Sequence, residues 1–354
     1  MNKKICVISG DGIGPEVMAE AVKVLNKIAE KYNHQFEYTE ALAGGAAWDV
    51  YGEHLPAETI EKGKNSDAIL FGSVGGPVAD QDKPKWKGAE KNAILALRKI
   101  FNLYANLRPS IVFKSLKNIS LLKPELIGEG FDILVIRELT GGLYFGEHKT
   151  ENGVAIDVMK YSEDEVRRIA KVAFEAAMKR DKRLTSVDKA NVLDCSVLWR
   201  KVVEEVAKDY PQVKLDHMYV DNAAMQLVKN PRHFDVLVTE NMFGDILSDL
   251  SSTFGGSLGL LPSASLNESN FGMYEPSGGS APDIAGLGIA NPIAQILSAS
   301  LMLKHSFGLI EEADAIYAAV VKALEQGYRT GDIYEEGCEK ISTKEMGDKI
   351  VENI

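Results

Sequence analysis

Residues 3–17 read KKICVISGDGIGPEV. The run Ile5–Ile8 is short, apolar and β-branched, as a buried strand is. It ends in Gly10-Asp11-Gly12-Ile13-Gly14-Pro15, and Pro15 suits the first turn of a helix. Strand, glycine turn and helix open an α/β unit. The turn invites comparison with the dinucleotide fingerprint G-x-G-x-x-G. Its third glycine comes one residue early, and no acidic residue ends a second strand about 20 residues later. A Rossmann domain is therefore not expected. The turn still falls at the C-terminal end of a strand, where α/β sheets bind ligands.

The same alternation continues outward. Further strands are expected at Ala68–Phe71, Ile133–Ile136, Leu184–Val187 and Val236–Val238. Helices are expected at Glu16–Tyr32, Glu90–Tyr104, Glu163–Met178, Val197–Asp209, Met225–Lys229, Pro292–His305 and Glu311–Gln326. This pattern predicts a largely parallel sheet with helices on both faces. Glycine and proline cluster at 72–77, 106–110, 141–146, 255–262 and 276–292, which predicts loops there. Residues 141–161 read as a glycine turn followed by a hairpin.

The chain has 354 residues, more than one ordinary core needs, which suggests two lobes. Hydrophobic residues at 45% and charged residues at 26% match a folded globular protein. Forty basic against 51 acidic residues leave a net charge of −11, which disfavours binding to nucleic acid or to anionic membranes. Cys6, Cys195 and Cys338 are too few and too scattered for a disulfide framework, which fits a reducing compartment. No long apolar run follows Lys3 and Lys4, so a cytoplasmic location is expected. The most apolar window, residues 284–303, contains Asn291, Pro292 and Gln295 and reads as a buried helix.

Asp245 and Asp249 in NMFGDILSD are four apart, so on a helix they share one face. Like charges so placed want a cation between them, and a hard divalent ion is the natural candidate. The plain alternative is a solvated acidic first turn. Asp221 opens another helix and reads equally as an N-cap or a third ligand. Arg98, Arg108 and Arg137 stand in ALRK, NLRP and VIRE. Guanidinium groups hold carboxylates in fixed geometry, so a set of three suits a diacid, although single surface ion pairs are commoner. Ile94 and Leu95 precede Arg98 by four and three residues on its helix, placing aliphatic carbon beside any carboxylate it holds.

Taken together, GDGIGPEV (10–17), LRK (97–99), NLRP (106–109), RELTGGLYFGE (137–147), VDKANVLD (187–194), YVDNAAMQLV (219–228), TENMFGDILSD (239–249), GSLGLLPSAS (256–265), EPSGGSAPDIAG (275–286) and IANPIAQILSAS (289–300) resemble the isocitrate/isopropylmalate family of β-decarboxylating dehydrogenases. The likeness covers nearly the whole chain. It implies a two-lobed α/β fold with mixed sheets flanked by helices. One lobe is expected to comprise 1–103 and 256–354 and to hold the adenosine site. The other, 104–255, is expected to carry the metal and acid–base residues and a dimerisation arm at 145–161.

The resemblance implies oxidation and decarboxylation of 3-isopropylmalate to 4-methyl-2-oxopentanoate in leucine biosynthesis. It implies NAD as hydride acceptor, Mg2+ or Mn2+ as metal, and admits K+ as an accessory ion. Arg98, Arg108 and Arg137 match malate-binding arginines. Asp245 and Asp249, with Asp221 of a homodimer partner, match metal ligands. Tyr144 and the partner's Lys189 match the acid–base pair, and Asp221 stands beside them. Ile94, Leu95 and Val192 match the alkyl pocket. Ile13, Gly76, Pro77 and Glu90, with Gly279, Ser280, Ala281, Pro282, Asp283, Ile284, Ala290 and Asn291, match the NAD contacts. The carboxylate of Asp283 suits ribose hydroxyls and would repel a 2′-phosphate. Gly278 stands where many relatives have histidine, and Leu250 where glutamate is usual. The alternatives are isocitrate, homoisocitrate or tartrate/malate as substrate, or a non-catalytic regulatory subunit.

Overall fold

A computed structural model describes residues 1–354. They form two compact units, Met1–Phe101 with Gly256–Ile354, and Asn102–Gly255.

The first unit begins with β1 (Asn2–Gly10), α1 (Gly14–Tyr32), β2 (Gln35–Glu40), α2 (Gly44–Tyr51), α3 (Ala57–Lys64), β3 (Ala68–Ser73) and, after a long loop, α4 (Ala96–Ile100). The second contains β4 (Ala105–Val112), α5 (Pro124–Ile127), β5 (Phe131–Glu138), β6 (His148–Glu151), β7 (Val154–Asp157), α6 (Glu163–Met178), β8 (Arg183–Asp188), α7 (Asp194–Ala207), β9 (Lys214–Tyr219), α8 (Val220–Lys229), β10 (Val236–Thr239) and α9 (Asn241–Ser252). The chain then returns to the first unit with β11 (Pro262–Leu266), β12 (Gly272–Pro276), α10 (Ile293–His305), α11 (Ile310–Glu325), β13 (Tyr328–Arg329), β14 (Glu339–Lys340) and α12 (Thr343–Glu352).

In the first unit the strand order is β2-β1-β3-β12-β11, parallel except for the β11–β12 pair. Strand β3 is buried along its whole length, as a central strand covered on both faces must be. Helix α10 is buried on almost every side, with Gln295, Ser298 and Ser300 among its mostly apolar buried residues, which makes it an interior helix. No helix is long and apolar enough to cross a membrane.

The turn quoted at the outset shows why its glycines are needed. Gly10 has φ +72°, and a Cβ there would stand 1.9 Å from the Ser73 carbonyl oxygen. The Asp11 carboxylate, buried behind it, accepts from the backbone N–H groups of Gly45, Ala46 and Gly75 at 2.8–3.0 Å. The motif therefore ties β1 to the start of α2 and to the loop after β3. Gly10→Ala combines a disfavoured backbone with a steric clash. It is expected to lower unfolding free energy by at least about 2 kcal/mol in urea titration.

In the second unit the order is β4-β5-β10-β8-β9, with β4 antiparallel to β5 and the others parallel. Its core packs Val112, Ile133, Val135, Leu237, Leu247 and Phe254. Helix α6 begins with a capping box, Ser162 and Glu165, and spans the residues expected of it. The hairpin β6–β7 turns at Asn152-Gly153, both with positive φ, as a tight two-residue hairpin requires.

Three expectations need correction. Residues 90–104 are not one helix. A wide π turn covers Lys91–Leu95, α4 ends at Ile100, and Asn102 at φ +50° turns the chain toward β4. The segment 106–110 is not a loop but the middle of β4, where pairing with β5 outweighs the proline signal. Helices α7 and α8 both begin several residues earlier than periodicity alone suggested.

Candidate active site

Three strands of the second unit end side by side. Thr239 of β10 is level with Arg137 of β5 and with Val187 of β8. Because the strands are parallel, the residues just after them emerge on one edge, the usual ligand edge of an α/β sheet. Strand β4 runs the other way, with Asn106 opposite Arg137, which brings Arg108 to the same region.

Helix α9 starts at that edge. Its N-cap is Glu240, whose carboxylate accepts from the N–H groups of Met242 and Phe243. Burial pushes the Glu240 carboxyl above its ordinary pKa, against those two hydrogen bonds. One turn on, Asp245 accepts a short hydrogen bond from Arg137 Nη1 and lies 3.6 Å from Arg108 Nη1. Its other oxygen accepts from the Tyr144 hydroxyl at 2.9 Å. Asp249 receives Arg108 Nη1 at 3.1 Å, and the same nitrogen donates to Ser248 Oγ at 2.8 Å. Arg137 is only 3% exposed. Its guanidinium lies 5.6 Å from the centre of the Tyr144 ring. Partial burial, and then the bond to Asp245, raise the Tyr144 phenol above its usual pKa, so it keeps its proton at neutral pH.

A second pair stands after β8 and β9. Asp188 and Tyr219 are level in that ladder, so the residues beyond them meet. Lys189 Nζ donates to Asp221 Oδ1 at 2.6 Å and holds that carboxyl below its ordinary pKa. Tyr144, Asp245 and Asp249 pair instead with one another or with Arg108 and Arg137. Within this chain no three histidine, cysteine, aspartate or glutamate side chains gather into a metal-sized cluster. Asp221 is thus not brought to Asp245 and Asp249 within the chain. Val192, near Lys189, is 69% exposed.

The other predicted residues belong to the first unit. Arg98 is buried and pairs with Glu275 of β12 at 2.9 Å, while its Nε is buried without a hydrogen-bond partner. Ile94 and Leu95 are half-buried in the π turn before it.

The first unit also contains a cavity of about 410 Å3. Ile13, Gly279, Ala281, Ile284, Ala290 and Asn291 line it, all six expected at the adenosine site. Ser280 supports it from behind, where its carbonyl accepts from Ile13 N–H at 2.9 Å. Glu16 accepts from Gly286 and Gly288 N–H and so fastens the loop to α1. Gly76, Pro77, Glu90, Pro282 and Asp283 do not line this cavity. Gly76 lies under the Trp86 ring, and Asp283 is exposed.

Sequence reasoning missed Asp332, which also lines the cavity. It accepts from Ser257 Oγ, Asn291 Nδ2 and Thr330 Oγ1. It also passed over Asn241, although the quoted segment TENMFGDILSD contains it.

The family model described as isocitrate/isopropylmalate dehydrogenase matches residues 4–350. A 3-isopropylmalate dehydrogenase from Geobacter metallireducens is 60% identical, covering 98% of each chain. One from Clostridium pasteurianum is 56% identical, covering 99% of each. Among solved structures, an isocitrate dehydrogenase from Methylococcus capsulatus superposes with a TM-score of 0.86 at 34% identity, over 99% of both chains. A β-decarboxylating dehydrogenase from Thermococcus kodakarensis gives 0.81 at 37%, over 99% of this chain and 96% of the other. With the arginine–aspartate–tyrosine cluster and the lined cavity in place, these likenesses agree on one assignment: the chain belongs to the isocitrate/isopropylmalate dehydrogenase family.

Proposed function

We propose that the chain oxidises (2R,3S)-3-isopropylmalate at C2 and decarboxylates it to 4-methyl-2-oxopentanoate, a step of leucine biosynthesis. NAD+ is the hydride acceptor and Mg2+ or Mn2+ the metal. The observation that carries the reading is the cluster on α9, where two carboxylates, two arginines and a protonated phenol meet at one sheet edge. The identity of 56–60% to relatives named for 3-isopropylmalate favours that substrate over isocitrate.

Both absent groups suit the residues present. Asp245 and Asp249 offer hard oxygen donors on one helix face, the set that Mg2+ and Mn2+ prefer. Asp221 of the partner subunit would complete the set. The cavity of about 410 Å3 has apolar walls and polar groups at Asn291 and Asp332, and suits an adenosine. When bound, the dinucleotide would supply the hydride acceptor and the divalent ion a Lewis acid for the substrate's oxygens.

The chain's own residues do the rest. Arg108 and Arg137, with Arg98, hold the two carboxylates bidentately. Ile94, Leu95 and Val192 receive the isopropyl group. Lys189, as the neutral amine after its ammonium has given up a proton, takes the C2 hydroxyl proton, and Tyr144 gives its proton to C3 once CO2 has left.

A homodimer with shared sites belongs to this reading. Lys189 and Asp221 pair with each other, outside the set that surrounds Asp245. The hairpin exposes Val154 and Ile156, α8 exposes Met225 and Val228, and α9 exposes Ile246. An isolated two-stranded hairpin is marginal in water, so one with outward apolar residues favours a second copy as its cover.

The test is NADH formation by purified protein with Mg2+. Placing a third carboxylate against Ile94 and Leu95 costs several kcal/mol. The kcat/KM for 3-isopropylmalate is therefore expected to exceed that for isocitrate by at least about a hundredfold. Equal or reversed values would remove the substrate assignment.

A further inference from the structure

Asn241 is wholly buried at the first position of α9. Its Oδ1 accepts from Arg137 Nε at 3.0 Å and from Nη2 at 2.7 Å. Its Nδ2 donates to the Gly141 carbonyl at 3.0 Å. Its backbone N–H donates to the Tyr161 hydroxyl at 3.0 Å. The amide thus makes three of the four hydrogen bonds open to it, and all three reach groups that adjoin the reaction.

Resting on the function proposed above, we infer that Asn241 is a positioning residue, holding Arg137 for the substrate carboxylate through Oδ1 and setting the turn of Tyr144 through Nδ2. Its lack of charge matters as much as its shape. A carboxylate would grip the guanidinium more strongly and cancel charge needed by the substrate. An amide oxygen fixes the same plane without neutralising it.

The turn that it holds has little other freedom. Gly142 lies at φ +71° and ψ −149°, a region left to glycine. The Tyr161 hydroxyl oxygen stands 2.4 Å from where a Cβ on Gly142 would be. Glu138 accepts from the N–H groups of Thr140 and Gly141. Tyr144 follows three residues after Gly141, so a shift of that carbonyl moves the phenol.

Asn241→Asp keeps the size and the Oδ1 acceptor, adds one negative charge and replaces the Nδ2 donor to Gly141 with a second acceptor oxygen. Three readouts test it: binding of 3-isopropylmalate without NAD+ by calorimetry, the two KM values with kcat, and thermal unfolding. The folded variant is expected to bind 3-isopropylmalate at least about tenfold more weakly, with the NAD+ KM within about twofold of wild type and kcat reduced. Should it not fold, Asn241→Ser gives the same comparison, since its hydroxyl is too short to reach Arg137. Affinity for the diacid within about twofold of wild type, or parallel rises in both KM values, would overturn the inference. A wild-type chain that binds the diacid without turning it over contradicts the functional reading alone, and the comparison of affinities still stands.

Discussion

Replacing Lys189 with alanine is expected to lower turnover of 3-isopropylmalate by about a thousandfold, the usual scale for losing a general base. The lysine follows β8 and its ammonium meets Asp221 at 2.6 Å. Lys189 is the basic side chain that Asp221 pairs with, and alanine leaves no basic group at that position. The fold should hardly notice. The Lys189–Asp221 pair is open to water, and such pairs contribute little to stability. The expected signature is thus a large fall in kcat with melting temperature and cofactor affinity kept. Turnover within about threefold of wild type would show that another group takes the proton.

Asp245→Asn should have effects of a different kind. Asp245 answers Arg137, lies near Arg108 and accepts from Tyr144. Its loss takes the paired carboxylate from Arg137 and leaves the neutral amide of Asn241 beside it. Breaking a buried pair from one side costs about 3–5 kcal/mol. Asp245 is about a third exposed, so solvent reduces this, and a loss of about 1–3 kcal/mol in urea unfolding is expected. The functional loss should be greater, about a thousandfold in kcat/KM, because the proposed metal ligand and the partner of Tyr144 go together. Affinity for Mn2+, measured by calorimetry, should fall by at least about tenfold. Unchanged Mn2+ affinity with near-normal turnover would remove Asp245 from the metal site.

The fold was readable where one principle dominated. The buried strands β3 and β10 are mostly apolar, β5 carries the run Ile133–Ile136, and α1, α6 and α11 show clear helical spacing. Edge strands were harder. β2 and β9 are short and mostly polar because one side meets water, so they lack a buried apolar run, and pairing with β1 and β8 makes them strands. Proline hid β4, whose place depends on β5.

The site shows the same division. Charged residues in compact motifs, such as Asp245, Asp249 and Arg137, could be singled out from residue type and spacing, but a solvated turn and surface ion pairs stayed open until the family resemblance implied their roles. Asn241 and Asp332 could not, because their importance lies in partners far along the chain. Arg137 precedes Asn241 by 104 residues, and Ser257 precedes Asp332 by 75. The first glycine motif taught the converse: its spacing rightly argued against a Rossmann cradle, and the structure uses Asp11 to join three backbone N–H groups instead.

The central claim is that each active site combines Tyr144, Asp245 and Asp249 of one subunit with Lys189 and Asp221 of the other. Mixing inactive Lys189→Ala with inactive Asp245→Asn, then unfolding and refolding them together, tests it most directly. In a two-fold dimer the mixed species places both lesions in one site and leaves the other intact. Random pairing makes half the dimers mixed, so about a quarter of wild-type turnover is predicted to return. If each subunit housed a complete site, every site would carry one lesion, and the mixture would stay as inactive as its parents.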